Sequence, residues 1–349
     1  MTPPADLYSP NKTMCKMEIV DKNEPETGIC DILYGEYYEN HQTFSRQTSL
    51  HWKKYGEFQL VRKSEKGYKL LGAGFGDFVP RNIFRSLINL PARIYLSQLL
   101  KGCDPRTVRA IRWVAGRQAR NFSYDLARMA LTIDLLIKQI PRLDDRTFCI
   151  IGDGYGSLGC LIKKIFPDSK IIFVNLGRTL FFDVHYSQAC FPELEHALIR
   201  SSVDQHSKDF SYIEAEHFEC TVCEADVFIN IASMQEMNYE MIASYFAAIR
   251  GQRSDAWFYC CNRISKALPD GTMINFADYG WVDDDQIMLD ELCPWYQRYP
   301  KNSPPFFGKF DGPIKHRLIQ IDPRSSGEQR SGRSQRLEPA RSLAGDTNY

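Results

Sequence analysis

The stretch FCIIGDGYGSLG, residues 148–159, decides the fold class of this chain. An apolar run leads directly into glycines at alternate positions, and an amphipathic segment over 156–166 follows. Such a loop lets the chain turn sharply, lets a ligand approach the backbone, and points the N–H groups of a helix N-terminus at that ligand. The stretch therefore predicts a strand, a ligand-binding loop and a helix. The alternative is a glycine turn that only connects the two elements.

Outward from this loop, short β-rich runs alternate with amphipathic segments, which is typical of an α/β fold with a parallel sheet. Strands are predicted near 147–152, 170–175, 211–215, 226–231, 256–261 and 314–321, and helices near 156–166, 178–190, 238–250 and 284–292. The second strand ends in Asn175, followed by Leu176. This is the position at which nucleotide-binding folds hold ribose hydroxyls.

The rest of the chain divides by pattern. Apolar residues at three- and four-residue spacing predict a helical cap over 81–141, on the substrate side of a domain at 142–322. Residues 1–80 lack a clear period and are predicted to form an irregular region with short strands. The stretch 323–349 is rich in Arg and Ser and poor in apolar residues, so we expect a disordered tail.

Composition excludes several classes of protein. Of 349 residues, 44% are hydrophobic and 25% charged, which excludes disordered, collagen-like and small disulfide-scaffold chains. The 43 basic and 43 acidic side chains balance, so no global charge favours nucleic acid or anionic lipid. No apolar run is long enough for a membrane span, and the 11 cysteines are scattered through apolar segments. We expect a cytoplasmic protein with reduced thiols, no nucleic-acid partner and no membrane span.

The stretch from Ile151 to Pro192 resembles the cofactor-binding half of S-adenosylmethionine-dependent methyltransferases. Further motifs follow in order: SMQEM at 233–237, Tyr259 before Asn262-Arg263, CPW at 293–295, and DGP at 311–313 before HRL at 316–318. With these, residues 80–320 resemble the bacterial sugar O-methyltransferase family. The resemblance implies a Rossmann-like methyltransferase sheet with helices on both faces, preceded by a mainly helical region. It also implies methyl transfer from S-adenosylmethionine to a hydroxyl of a sugar or glycan precursor.

The resemblance also implies which residues bind the cofactor. The loop would hold the methionine part, Asn175 and Leu176 would meet the ribose, and Ser233 would lie nearby. The loop residues concerned are Gly152, Asp153, Gly154, Tyr155 and Gly156. Two positions depart from the common methyltransferase pattern: Ile150 and Asn175 stand where acidic residues are usual.

Catalytic candidates follow the later strands. Glu236 is the first candidate for a general base, although an acidic residue in the first turn of a helix is the equal alternative. Arg263 closes the fifth strand and is a candidate to clamp substrate hydroxyls or a phosphate. His316 is a third candidate because imidazole is a common general base, but a histidine at a strand start is more often structural. Gln235, Asn262 and Trp295 are predicted to bind substrate.

Two local charge clusters have alternative interpretations. Arg106, Arg109 and Arg112 form a basic run that suits a diphosphate or a solvated helix face, and the solvated face is favoured. The run 283–285 of three aspartates suits either magnesium or the start of a helix, and capping is favoured. The cysteine pairs Cys220/Cys223 and Cys260/Cys261 lack the usual spacing of structural zinc. We therefore predict no metal site.

Two other functions stay open at this stage. Alternating glycines also serve nicotinamide-dependent oxidoreductases, although Gly156 follows Gly154 too closely for the dinucleotide fingerprint. A non-catalytic binding protein on a degenerate methyltransferase fold is the other, motivated by Ile150 and Asn175. The predicted partner is a small-molecule or glycan-linked sugar, and an oligomer is compatible with the sequence.

Overall fold

The structure is a computed structural model that describes residues 28–39, 60–65, 67–72, 90–120, 122–200, 208–221, 224–252, 255–300 and 307–321. Its helices are α1 Ile29–Tyr34, α2 Leu90–Leu99, α3 Pro105–Arg117, α4 Tyr124–Gln139, α5 Ser157–Ile165, α6 Gly177–Cys190 and α7 Tyr239–Arg250. Its strands are β1 Leu60–Ser64, β2 Gly67–Gly72, β3 Thr147–Ile151, β4 Lys170–Asn175, β5 His196–Ile199, β6 Phe210–Glu214, β7 Val227–Ile231, β8 Ala256–Arg263, β9 Ser265–Ala267, β10 Met273–Asn275, β11 Gln286–Leu292, β12 Arg298–Pro300, β13 Phe307–Lys309 and β14 Ile314–Ile321. The predicted tail at 323–349 lies outside the described residues.

The largest sheet has eight strands in the order β11-β14-β8-β7-β3-β4-β6-β5. Strands β3 to β8 are parallel to one another, and β14 runs antiparallel to both of its neighbours, β8 and β11. From β3 the chain builds outward first through β4 and β6, then on the other side through β7 and β8. The order therefore reverses between β3 and β7, where open α/β sheets bind ligands at the carboxyl ends of their strands.

Alternate residues of β3 show how the sheet is covered. Phe148 and Ile150 belong to a core that includes α3, α4, α5 and α6, whereas Cys149 and Ile151 belong to a second core that includes α7. Successive side chains of a strand point to opposite faces, so helices lie on both faces of the sheet. The predicted Rossmann-like α/β architecture is confirmed.

The six predicted strands all lie in this sheet, and three of the four predicted helices correspond to α5, α6 and α7. The helix predicted at 284–292 is wrong, because β11 occupies this stretch. Pairing with β14 decides the outcome: Asp290 accepts hydrogen bonds from Arg317 at 2.9 and 3.0 Å and from Lys315 at 2.8 Å. Such cross-strand partners are distant in sequence, and a short apolar run does not separate helix from strand.

The region before the sheet is helical where it is described between residues 90 and 139. Helix α3 begins with Pro105 at its first position, and the Asp104 carboxylate caps it by accepting from Arg106 N at 2.7 Å. Helix α1 and the π-helical turn Gly35–Glu39 pack against α6, where Tyr38 donates to the carbonyl of Arg178 at 3.0 Å. None of the described helices has the length and apolar character needed to cross a membrane.

Asp285, the last residue of the aspartate run, forms a buried ion pair instead of capping a helix. Its two carboxylate oxygens each accept from Arg250 at 2.8 Å, and its side chain is 3% exposed. Removing Asp285 leaves the Arg250 guanidinium buried without its carboxylate, so we expect Asp285→Ala to lower the free energy of unfolding by about 3 kcal/mol. Urea unfolding measures the change. Asp284→Ala is the matched control, because Asp284 is exposed, and an equal loss in both variants would contradict the prediction.

Candidate functional site

A cavity of about 290 Å³ opens where the strand order reverses. It lies at the carboxyl ends of β3, β4, β7 and β8, and it is bounded on its other side by residues from the helical region. Ten of the predicted site residues line it: Gly152, Asp153, Gly154, Tyr155, Asn175, Leu176, Ser233, Gln235, Glu236 and Arg263. The topology therefore gathers residues that are far apart in the sequence.

The three glycines of the loop all have left-handed backbone conformations, with φ of 80° at Gly152, 87° at Gly154 and 61° at Gly156. A Cβ at Gly152 would collide with the hydroxyl of Ser233, and a Cβ at Gly156 would lie 2.8 Å from the carbonyl oxygen of Asp183. Other residue types are strained at such φ values. The loop thus needs glycine both for its turn and for its close approach to neighbouring backbone.

Asp153 and Asp183 hold the loop from two sides. The Asp153 carboxylate accepts from the backbone N–H groups of Ser157 at 2.9 Å and Gly159 at 3.0 Å, and Asp183 accepts from Gly156 N at 2.8 Å. Burial raises the pKa of Asp153 to about 6, and burial together with the nearby Asp153 charge raises the pKa of Asp183. Two buried carboxyl groups beside one loop make the site sensitive to pH.

We expect Asp153 to make folding stability depend on pH. Its pKa of about 6 in the folded protein exceeds the unfolded value, so its contribution to stability is present below about pH 4 and is lost as the pH rises through about 6. The shift corresponds to about 3 kcal/mol at most. Urea unfolding at about pH 4.5 and about pH 7.5 should show wild type losing stability relative to Asp153→Asn. The exposed Asp168→Asn variant should follow wild type, and a constant difference between wild type and Asp153→Asn would contradict the prediction.

Asn175 closes β4 at the cavity, but its side chain is engaged by the protein. Its amide oxygen accepts from Leu176 N at 3.0 Å, and its amide nitrogen donates to Asp183 at 2.8 Å. One strand further, Glu214 pairs in register with Asn175, yet it is 2% exposed and binds Arg200 at 3.0 Å and the hydroxyl of Tyr37. Asn175 therefore supports the loop through Asp183 while it lines the cavity.

Glu214, Glu216 and His217 bring potential metal-binding atoms within 4.8 Å of one another. The Glu214 carboxylate already pairs with Arg200 and Tyr37, and Arg200 also binds Glu36 at 2.8 and 2.5 Å. These contacts satisfy the carboxylates as an ion-pair network. We assign no metal to this cluster.

Hydrogen bonds link the end of β8 to the end of β7 and to the turn that follows β7. Asn262 donates to the amide oxygen of Asn230 at 2.8 Å and accepts from Gln235 N at 3.1 Å, and Gln235 in turn accepts from Arg263 N at 2.8 Å. Glu236 lines the cavity and forms an ion pair with Lys266 at 2.8 Å. The cavity thus presents Glu236 and Arg263 from a rigid frame.

Four predicted site residues do not line the cavity: Gly156, Asn262, Trp295 and His316. Asn262 is fully buried in the network between strand ends, so it positions Gln235 and cannot reach a ligand. His316 is 1% exposed, its Nδ1 lies 3.1 Å from the Tyr259 hydroxyl, and its ring packs edge-on against Trp295. Burial lowers the pKa of His316. His316 is thus buried against the half-buried Trp295, and neither residue lines the cavity.

The cavity is also lined by Arg120, Asp125, Arg128 and Tyr296, and sequence reasoning missed Asp125 and Arg128 among them. Arg120 is 3% exposed and lies over the Tyr155 ring, whereas Arg109 and Arg112 of the basic run are exposed. Arg128 pairs with Asp125 and lies 3.6 Å from the centre of the Tyr296 ring. No local sequence pattern identifies Asp125 and Arg128, because the packing of α4 brings them to the cavity.

No protein-family profile and no curated protein matches the sequence. Among solved structures, a SAM-dependent methyltransferase from Aquifex aeolicus is 8% identical, with a TM-score of 0.35 and 65% of this chain and 98% of that chain covered. The pyocyanin biosynthetic protein PhzM is 9% identical, with a TM-score of 0.36 over 56% of this chain and 57% of that chain. Human N-acetylserotonin methyltransferase is 10% identical, with a TM-score of 0.30 and 56% of each chain covered. The fold of this chain is assigned from its own strand order. Identities and TM-scores this low say nothing about its activity.

Proposed function

We propose that this protein is an S-adenosylmethionine-dependent O-methyltransferase that acts on a hydroxyl of a sugar or glycan precursor. The observation that carries the proposal is the left-handed glycine loop between β3 and α5, which lines a cavity at the reversal of strand order. Side chains at Gly152 and Gly156 would collide with Ser233 and Asp183, so the loop keeps its backbone close to its neighbours. This arrangement suits a ligand that contacts the backbone of the loop.

The loop residues and Asp153 fit the methionine part of the cofactor, with Leu176 and Asn175 toward its ribose. S-adenosylmethionine supplies an electrophilic methyl group when it is bound. The Asp153 carboxylate, already held by two backbone N–H groups, adds negative charge to the cavity above about pH 6. Since a carboxylate attracts ammonium and sulfonium groups, this charge supports a cationic cofactor.

Glu236 fits the role of general base because it lines the cavity from the turn after β7. Its ion pair with Lys266, at 2.8 Å, holds the carboxylate in place at the cavity. An acceptor hydroxyl within hydrogen-bond distance would lose its proton to Glu236 as the C–O bond forms and the bond between the methyl carbon and sulfur breaks. Alignment of donor and acceptor then provides most of the remaining rate enhancement, since methyl transfer is an in-line displacement.

Methyl transfer from radiolabelled S-adenosylmethionine tests the proposal. The acceptors are a panel of nucleotide sugars, free sugars and cell-envelope extracts, and the product is located by alkaline stability and mass spectrometry. We expect a stable methyl ether on a sugar oxygen. Labelling that appears only on protein, nucleic acid or carboxyl groups would contradict the sugar assignment, and binding of NADH in place of the labelled cofactor would support the oxidoreductase alternative.

A further inference from the structure

The cavity wall carries an arginine whose charge is not balanced inside the cavity. Among the charged residues lining it, Arg128 pairs with Asp125, and Glu236 pairs with Lys266. Arg120 acts electrostatically on Asp153. Arg263 is left with Asp311, whose carboxylate is 4.0 Å away and fully exposed, so water screens that pair. The described side chains that line the cavity therefore leave one positive charge, at Arg263, without a counter-charge inside the cavity.

The backbone of Arg263 is also positioned before any ligand arrives. Its backbone N–H is fixed by Gln235 at 2.8 Å, at the end of the network that joins β7 and β8. Its side chain is 20% exposed, and its buried Nε has no hydrogen-bond partner among the residues that the structure describes. A buried N–H donor without a partner is unfavourable, and an anionic oxygen satisfies it best.

Arg120 and Arg128 approach the same cavity from the helical region, but each already faces a carboxylate, that of Asp153 and that of Asp125. Among the described residues, the guanidinium of Arg263 faces no carboxylate inside the cavity. It therefore favours carboxylate or phosphate oxygens, because the planar N–H fork matches both groups. Together with the proposed sugar acceptor, this favours a sugar that carries an anionic group.

We propose that the acceptor is an anionic sugar whose carboxylate or phosphate group binds Arg263. This inference rests on the proposed function and narrows its substrate class. It assigns Arg263 to binding of the acceptor and leaves proton removal to Glu236.

Calorimetry on the full chain saturated with S-adenosylhomocysteine tests the inference with three probes: glucuronic acid, glucose 6-phosphate and glucose. We expect at least one anionic probe to bind about tenfold more tightly than glucose, and the tighter of the two identifies carboxylate or phosphate as the group recognised. Arg263→Gln should remove this preference, because it weakens binding of the anionic probe more than binding of glucose. Arg112→Gln, which changes an exposed arginine of the basic run, should keep the preference.

The inference is overturned if neither anionic probe binds more tightly than glucose, or if Arg263→Gln retains the full preference. Circular dichroism of Arg263→Gln and its affinity for S-adenosylhomocysteine report whether the variant is folded; a misfolded variant is replaced by Arg263→Lys, which should weaken the preference because it lacks the fork. Failure of S-adenosylhomocysteine to bind overturns the proposed function instead. The probes are then titrated without it, and a preference that depends on Arg263 still supports an anion site.

Discussion

Replacing Gly154 with alanine should weaken binding of S-adenosylhomocysteine by about 100-fold, equivalent to about 2.7 kcal/mol. Gly154 lines the cavity and has a φ of 87°, so alanine both strains the loop and adds a methyl group at its surface. If the loop shifts to relieve this strain, its backbone N–H groups move away from the positions at which they would contact the ligand. Isothermal titration calorimetry measures the affinity, and urea unfolding measures the accompanying loss of stability.

Gly271→Ala is the matched control for backbone strain. Gly271 has a φ of 85°, lies in an exposed turn, and has no atom within 4 Å of an added Cβ. Both variants should lose about 1–2 kcal/mol of stability because both place alanine in a left-handed conformation. Only Gly154→Ala should lose ligand affinity. Equal affinities in the two variants would show that the loop does not contact the ligand.

Replacing Glu236 with glutamine should lower kcat for methyl transfer by about 10²- to 10⁴-fold, which is the usual contribution of a positioned general base. The amide keeps the size of the side chain but cannot accept a proton. It also releases Lys266 from its ion pair, and this adds a positive charge next to the acceptor. The affinity for S-adenosylhomocysteine should change little, since the expected defect lies in the chemical step.

Glu240→Gln is the control for Glu236→Gln, because Glu240 is exposed in the first turn of α7. It should retain the wild-type kcat. A second check is Lys266→Met, which removes the ion pair but keeps the carboxylate, and should therefore act less severely than Glu236→Gln. A Glu236→Gln variant with wild-type kcat would assign Glu236 to helix structure instead.

The sheet was predictable because its signals are local. Strand β3, the glycine loop and α5 follow one another within the stretch 148–165, and each has its own periodicity. The stretch 284–292 shows where local signals end. Its apolar residues fit either helix or strand, and the deciding contacts of Asp290 reach Lys315 and Arg317 across the sheet. Pairing between distant segments overrides local propensity there.

The candidate site was predictable to the extent that topology alone creates it. Parallel strands end at one edge of the sheet, so Ser233, Gln235 and Glu236 after β7 meet Arg263 at the end of β8. Arg120 and Arg128 line the cavity only because the helical region packs against that edge. No local sequence pattern predicts this packing. His316, which the motifs made a candidate base, lies buried in β14 next to β8 and does not line the cavity.

The central claim is that the glycine loop and the cavity beside it bind S-adenosylmethionine. Isothermal titration of the full chain with S-adenosylhomocysteine tests this binding, because this product of methyl transfer is stable and needs no acceptor. We expect binding at one site per chain, with an affinity that Gly154→Ala weakens by about 100-fold and Gly271→Ala leaves unchanged. A folded wild-type protein that gives no binding heat and no ligand-induced rise in melting temperature would contradict it.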